Sequence, residues 1–211
     1  MHNATRITVS TFGVMMGLAG LEHGIGEILQ GNTAPAGIMF PSWPESEFFS
    51  NVAGEPAMSI IPNLLVTGML ACFMSLTYLL WVTRFVQRKH AGQVLSLLAI
   101  IMLLVGGGIF PPVIAIFIGI LATKINTPPI ARRAKSTVSL RSQLSKGWPW
   151  SFIVCVGSWL LLFPGTNFLG YFFGAQDPNL TVILLSFALG SLLLTIITGS
   201  THDRLRPTQS P

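Results

Sequence analysis

Glu22, His23 and Glu27 fall close together in GLAGLEHGIGEILQG (residues 17–31), inside a run that is otherwise apolar. Carboxylates beside an imidazole hold protons or cations, and each ionisable group in a membrane helix costs roughly 2.5–3.5 kcal/mol to insert. At about 100° per residue, His23 and Glu27 lie on one side of a helix as an i,i+4 pair, and Glu22 points nearly opposite. Two readings follow. In one, His23, Glu27 and Glu22 serve a proton, cation or small-solute site that opens on an acidic mouth. In the other, His23 and Glu27 tie the helix to the following loop through Asn63, Thr67 or loop backbone.

Other chemistry is poorly served. His2, His90 and His202 stand at the opposite ends of the apolar runs, so no second histidine is placed to ligate a haem. Zinc takes three or four protein ligands, and one histidine with separated carboxylates leaves any metal unidentified. Ser158 in VGSW has no histidine or lysine at a matching depth, and no glycine-rich loop carries a phosphate-binding lysine. No cofactor and no enzyme activity are expected.

The same helix carries Gly13, Gly17, Gly20 and Gly24 within about 40° of one line, a small-residue face that lets helices approach closely in lipid. Positioning these residues requires a membrane. Of 211 residues, 51% are hydrophobic and only 9% charged, against about 25% charged in soluble domains. Apolar stretches near 7–30, 57–83, 93–123, 149–174 and 179–200 make one polytopic domain over 1–211. The net charge of +5 then describes a basic cytoplasmic face rather than a nucleic-acid surface. Cys72 and Cys155 lie far apart in apolar runs and are read as packing residues. Arg6 and the run after it have the outline of a signal peptide, but the glycine face and the apolar partner that follows favour a retained span.

The stretch 93–123 is too long for one span and is broken by Gly106-Gly107-Gly108-Ile109-Phe110-Pro111-Pro112. If it crosses once, Arg6, Arg84, Arg88 and Lys89 lie on one side and the remaining basic residues on the other. If it turns back, all 12 share a side, as cytoplasmic loops prefer. The expected fold is therefore all-α: a transmembrane bundle of six apolar helices in three hairpins, both termini cytoplasmic, in the plasma membrane. The middle hairpin is short enough to be re-entrant, and five spans is the alternative. Gly106, Gly107, Gly108, Pro111 and Pro112 then form either a tight outer turn or the lining of a pore. Gly54-Glu55-Pro56 reads as the start of the second helix, Trp148-Pro149-Trp150 as an interfacial belt, and Pro164-Gly165 as a kink.

Glu45, Glu47, Glu55 and Asp177 fall in the outer loops, where no Lys or Arg occurs, an arrangement that attracts cations. The loop 31–56 is too apolar for a solvated connector, and its aromatics suit an interface. Together GLEHGIGEILQGN, SWPESEFF, GEPAMSIIPNLL and GGGIFPP resemble a family of small prokaryotic polytopic membrane proteins over most of residues 7–124. The resemblance implies the multi-span fold and brings no activity, ligand or site.

The leading expectation is a transporter- or channel-like protein whose partners are the lipid bilayer and a small cation, proton or solute. The alternative is an accessory subunit, or a homo-oligomer, that packs on another membrane protein through the glycine face. The hairpin topology is testable with single cysteines at Ser139 and Ser46 in a chain lacking Cys72 and Cys155. An impermeant reagent added outside should label position 46 and spare 139. Labelling of both contradicts it.

Overall fold

The computed structural model describes residues 3–125, 138–175 and 177–205. It is mostly helical: α1 Asn3–Leu29, α2 Leu64–Leu80, α3 Ala91–Leu104, α4 Phe110–Ala122, α5 Val138–Leu160, α6 Thr166–Phe173 and α7 Pro178–Leu205, with two short strands, β1 Met39–Pro41 and β2 Pro56–Met58. Among the described residues, four stretches are long and apolar enough to cross a membrane: Ala4–Leu29, Leu64–Phe85, Arg141–Phe173 and Asn179–Leu205. Leu76, Phe117, Ile153 and Phe187 are each more than half exposed, which suits lipid and not water. These features suggest a membrane protein.

The chain forms two compact units, Val9–Lys124 and Met1–Thr8 with Ile125–Pro211. In the first, the glycine face of α1 lies against α2. A Cβ at Gly17 would come 2.7 Å from Leu79, one at Gly20 2.7 Å from Ser75 Oγ, and one at Gly24 2.8 Å from both Cys72 Sγ and the Gly68 carbonyl. Gly13 meets Val82. The pairing is reciprocal, since a Cβ on Gly68 would sit 2.6 Å from the Gly24 carbonyl. Residue numbers rise along α1 as they fall along α2, so the two helices are antiparallel.

α3 and α4 form a second glycine-lined pair. A Cβ at Gly92 would lie 2.5 Å from the Gly119 carbonyl, and one at Gly119 2.7 Å from Ser96 N. At 1.5 Å per residue each helix is only about 20 Å long, short of the roughly 30 Å hydrocarbon core. Pro111 and Pro112 are buried in the first turn of α4, where the missing N–H groups leave no bond unmade.

The second helix does not begin at Gly54-Glu55-Pro56. Pro56 opens β2, which pairs antiparallel with β1 in the register Met39 with Met58. α2 starts at Leu64, with Asn63 as its cap, accepting a hydrogen bond from Val66 N at 3.0 Å. A proline is as well suited to a strand end as to a first helical turn, and the capping asparagine is the more specific start signal. Between the strands a 3-10 turn, Glu47–Val52, holds Phe49 stacked on Trp43 at 5.3 Å.

In the other unit α5 and α7 run antiparallel, joined by hydroxyls. Ser151 Oγ and Thr198 Oγ1 are 2.8 Å apart, Ser158 and Ser191 3.0 Å, and Trp159 Nε1 donates to the Ala188 carbonyl at 3.1 Å. Such side-chain bonds associate helices where hydrophobic contrast is absent, and they give Ser158 a structural partner. α5 extends well before Trp148-Pro149-Trp150, with Pro149 inside it. At Phe163 the backbone leaves helical geometry beside Pro164, the kink expected there. Asp203 caps α1: its two carboxylate oxygens accept from Ala4 N and Thr5 N, each at 2.9 Å. The start of α1 and the end of α7 are thus bonded to each other.

The α1–α2 packing predicts that Gly24→Leu lowers the thermal midpoint and yield in detergent far more than Leu21→Ile. An unchanged midpoint for Gly24→Leu would mean that the close approach to Cys72 and Gly68 is not formed.

Candidate functional site

His23 is placed by α1 and held by its own helix. Its Nδ1 lies 2.9 Å from the Ala19 carbonyl oxygen. A carbonyl only accepts, so Nδ1 carries a proton. Glu22 Oε2 approaches the same nitrogen at 3.1 Å. The opposite nitrogen, Nε2, faces Glu55 Oε2 at 3.5 Å and has no hydrogen-bond partner. The residue is 1% exposed.

Glu27, one turn further along α1, is fully buried. Its Oε1 accepts a long hydrogen bond from Ser42 Oγ, 3.4 Å, and its Oε2 has no hydrogen-bond partner. Buried polar atoms are usually paired, and an orphan at such a place calls for a water, an ion or a function.

The turn Gly106–Gly108 closes over these two side chains. Gly106 and Gly108 have φ of +95° and +83°, a region that glycine enters without penalty. A Cβ on Gly108 would stand 2.7 Å from His23 Nε2, and a Cβ on Gly106 would collide with the Glu27 carboxylate. The turn is itself buried. Gly106 N donates to the Met58 carbonyl at 3.0 Å, Ile109 N to that of Pro56 at 3.1 Å, and Ile60 N to that of Leu104 at 3.0 Å. The chain after Glu55 therefore runs alongside the glycine turn, which fixes Glu55 next to His23.

Glu55 reaches that position through an unusual backbone. Ala53, Gly54 and Glu55 have successive φ of +53°, +73° and +56°. Left-handed geometry at a non-glycine costs about 1–2 kcal/mol, and such strain gathers at functional sites. Ser42 N bonds the Glu55 carbonyl at 2.9 Å, so the residue that touches Glu27 is hydrogen-bonded to the one that touches His23. An open groove of about 390 Å³ lies beside Ser42, with Gly26, Gln30, Trp43 and Glu45 in its walls.

The structure thus joins His23, Glu27 and the Gly106–Gly108 turn, which stand far apart in sequence. Glu22 does not stand apart from His23: its Oε2 lies 3.1 Å from Nδ1, although adjacent residues of a helix do not ordinarily face each other. The contacts of Glu27 are with Ser42 and the glycine turn rather than with His23. Asn63 and Thr67 do not reach the pair, since Asn63 donates to Asn32 and Thr67 bonds Ser59. Glu55 and Ser42 are the residues that sequence reasoning missed. No Lys or Arg occurs between Arg6 and Arg84. In the α1–α2 pairing Val82 is level with Gly13, so Arg84 lies toward the opposite end of the helix pair from His23.

A scan against protein-family models and searches of curated proteins and solved structures found no match to this chain.

The closure of the turn on His23 is testable with two alanines. Gly31 has a similar φ, +81°, but open space around a Cβ, so Gly31→Ala should cost about 1–2 kcal/mol for backbone geometry alone. Gly108→Ala should cost clearly more in thermal unfolding, because it also displaces the imidazole. Equal losses would show that the turn does not bear on His23.

Proposed function

We propose that this chain is a multi-span membrane protein that takes a cation or a proton from its acidic loop face into the buried site at Glu27 and His23. The observation that carries this reading is Glu27: wholly buried, with a carboxylate oxygen lacking a hydrogen-bond partner, in a stretch of sequence, residues 7–83, that has no Lys or Arg. Ionisable residues inside membrane helices mark ion and proton paths when they are not matched by an opposite charge. The groove bearing Glu45 supplies an approach, and Ser42 stands between it and Glu27.

The α3–α4 pair is read as a re-entrant hairpin. Its helices are short and its buried turn is level with His23 and Glu27 of α1. Irregular backbone at membrane depth is tolerated where protein or a wet cavity covers it, and here it covers the site. Both termini and the basic loops 84–93 and 124–147 are assigned to the cytoplasm on the charge rule; 126–137 lies outside the described residues. The accessory-subunit alternative relied on the glycine face of α1, which lies against α2 of the same chain.

Purified protein in proteoliposomes with an internal pH dye tests this. An imposed cation or proton gradient should give a flux that Glu27→Gln abolishes, since the amide keeps the shape and cannot carry the charge. Glu45→Gln should retain most of it. Glu22 is not a neutral control, because it touches His23. A Glu27→Gln variant with the flux of the unaltered chain would contradict the proposal.

A further inference from the structure

Resting on the cation reading above, we infer that Glu22, His23 and Glu55 bind a divalent transition-metal ion of the zinc and manganese class, with His23 Nε2 as the nitrogen ligand. The ligand atoms of the three residues lie within 4.8 Å of one another. The 3.5 Å between His23 Nε2 and Glu55 Oε2 is long for a hydrogen bond. It matches the separation of two ligands at a tetrahedral metal: bonds of about 2.1 Å set roughly tetrahedrally place neighbouring ligands about 3.4 Å apart.

The imidazole is oriented for that role independently of the carboxylates. The Ala19 carbonyl takes the Nδ1 proton at 2.9 Å, and a backbone carbonyl on one ring nitrogen is the usual device that presents the other to a metal. Nε2 is then the atom left to bind. It belongs to a side chain 1% exposed and has no hydrogen-bond partner, while it points at Glu55. Glu22 Oε2 stands 3.1 Å from Nδ1; to ligate the metal, Glu22 turns from that nitrogen, whose proton the Ala19 carbonyl keeps bonded. Its other oxygen, Oε1, is buried without a hydrogen-bond partner.

The ligand set selects the ion. Calcium and magnesium take oxygen ligands and magnesium keeps its waters. One imidazole with carboxylates suits first-row divalent transition metals instead. Three protein ligands leave a coordination position open, the arrangement of a site that exchanges or reacts rather than one that only braces a fold. Glu27 lies under the same glycine turn, against Gly106, as His23 lies against Gly108.

The test uses the full chain in detergent, stripped with a chelator and titrated with Zn²⁺ alone, with Co²⁺ as a spectroscopic substitute. One zinc per chain should bind, with Mg²⁺ and Ca²⁺ failing to displace it. His23→Gln and Glu55→Gln should each weaken binding by about tenfold or more, as even indirect partners of a metal site do. Glu45→Gln and Glu47→Gln should leave it unchanged. Co²⁺ should give visible ligand-field bands in the unaltered protein that Glu55→Gln alters, a readout that does not need the His23 variant to fold. Zinc binding indifferent to both ligand variants would overturn the inference, as would equal binding of Mg²⁺. If zinc fails to bind while Glu27→Gln still abolishes cation or proton flux, the metal assignment falls and the broader reading stands. If zinc binds at His23 and Glu55 while flux is indifferent to Glu27→Gln, the metal site stands and the transport reading falls.

Discussion

The compact unit Val9–Lys124 is organised around ionisable side chains buried inside an apolar helix. Glu27 and His23 are buried in α1, Glu22 and Glu55 press on the imidazole, and no lysine or arginine occurs in the sequence from residue 7 to residue 83. A soluble protein would bring an arginine to such a cluster or leave it in water. In the membrane that the apolar helices suggest, neither solution is at hand, and protons, a cation or fixed backbone groups meet the charge. The structural peculiarities nearby enclose these side chains.

The glycines are the clearest case. Gly20 and Gly24 let α2 approach α1 closely, which seals the helix flank around His23. Gly106 and Gly108 let the α3–α4 turn come down on the two side chains at a distance no Cβ permits. The loop 31–56 completes the enclosure: the β1–β2 hairpin brings Ser42 to Glu27 and Glu55 to His23, and three successive left-handed residues aim Glu55. Backbone strain of this kind persists only when the rest of the fold determines it. Here the backbone bonds of Met58 and Pro56 to the glycine turn do so.

What the sequence disclosed depended on whether the signal was local. The apolar runs, the kink at Pro164 and the glycine face of α1 are written in periodicity and residue type, and they emerge from counting along the chain. The all-helical class is equally legible. The site was legible only in part. His23 and Glu27 announce themselves as costly residues in an apolar helix, and Gly106–Pro112 as a break. Nothing local says that the break closes on the pair, because that contact spans about eighty residues and depends on the β1–β2 hairpin. Glu55 was hidden for a related reason. Gly54-Glu55-Pro56 has the composition of a helix start, and the left-handed geometry of Ala53 and Glu55 leaves no mark on residue choice. The hydroxyls of Ser151, Ser158 and Thr198 look like scattered polar residues until α5 and α7 are paired.

The central claim is that the cluster of ionisable side chains around His23 holds a cation at a defined atom, rather than being a set of carboxylates clamping a permanent imidazolium. Locating the ion tests it most directly. Anomalous scattering at the zinc edge, from crystals of the zinc-loaded protein grown in a lipid phase, should place one peak about 2.1 Å from His23 Nε2, bonded also to the Glu55 carboxylate. A peak confined to exposed Glu45 or Glu47, or an imidazole hydrogen-bonded through Nε2 to Glu55 with no metal between them, would contradict the account.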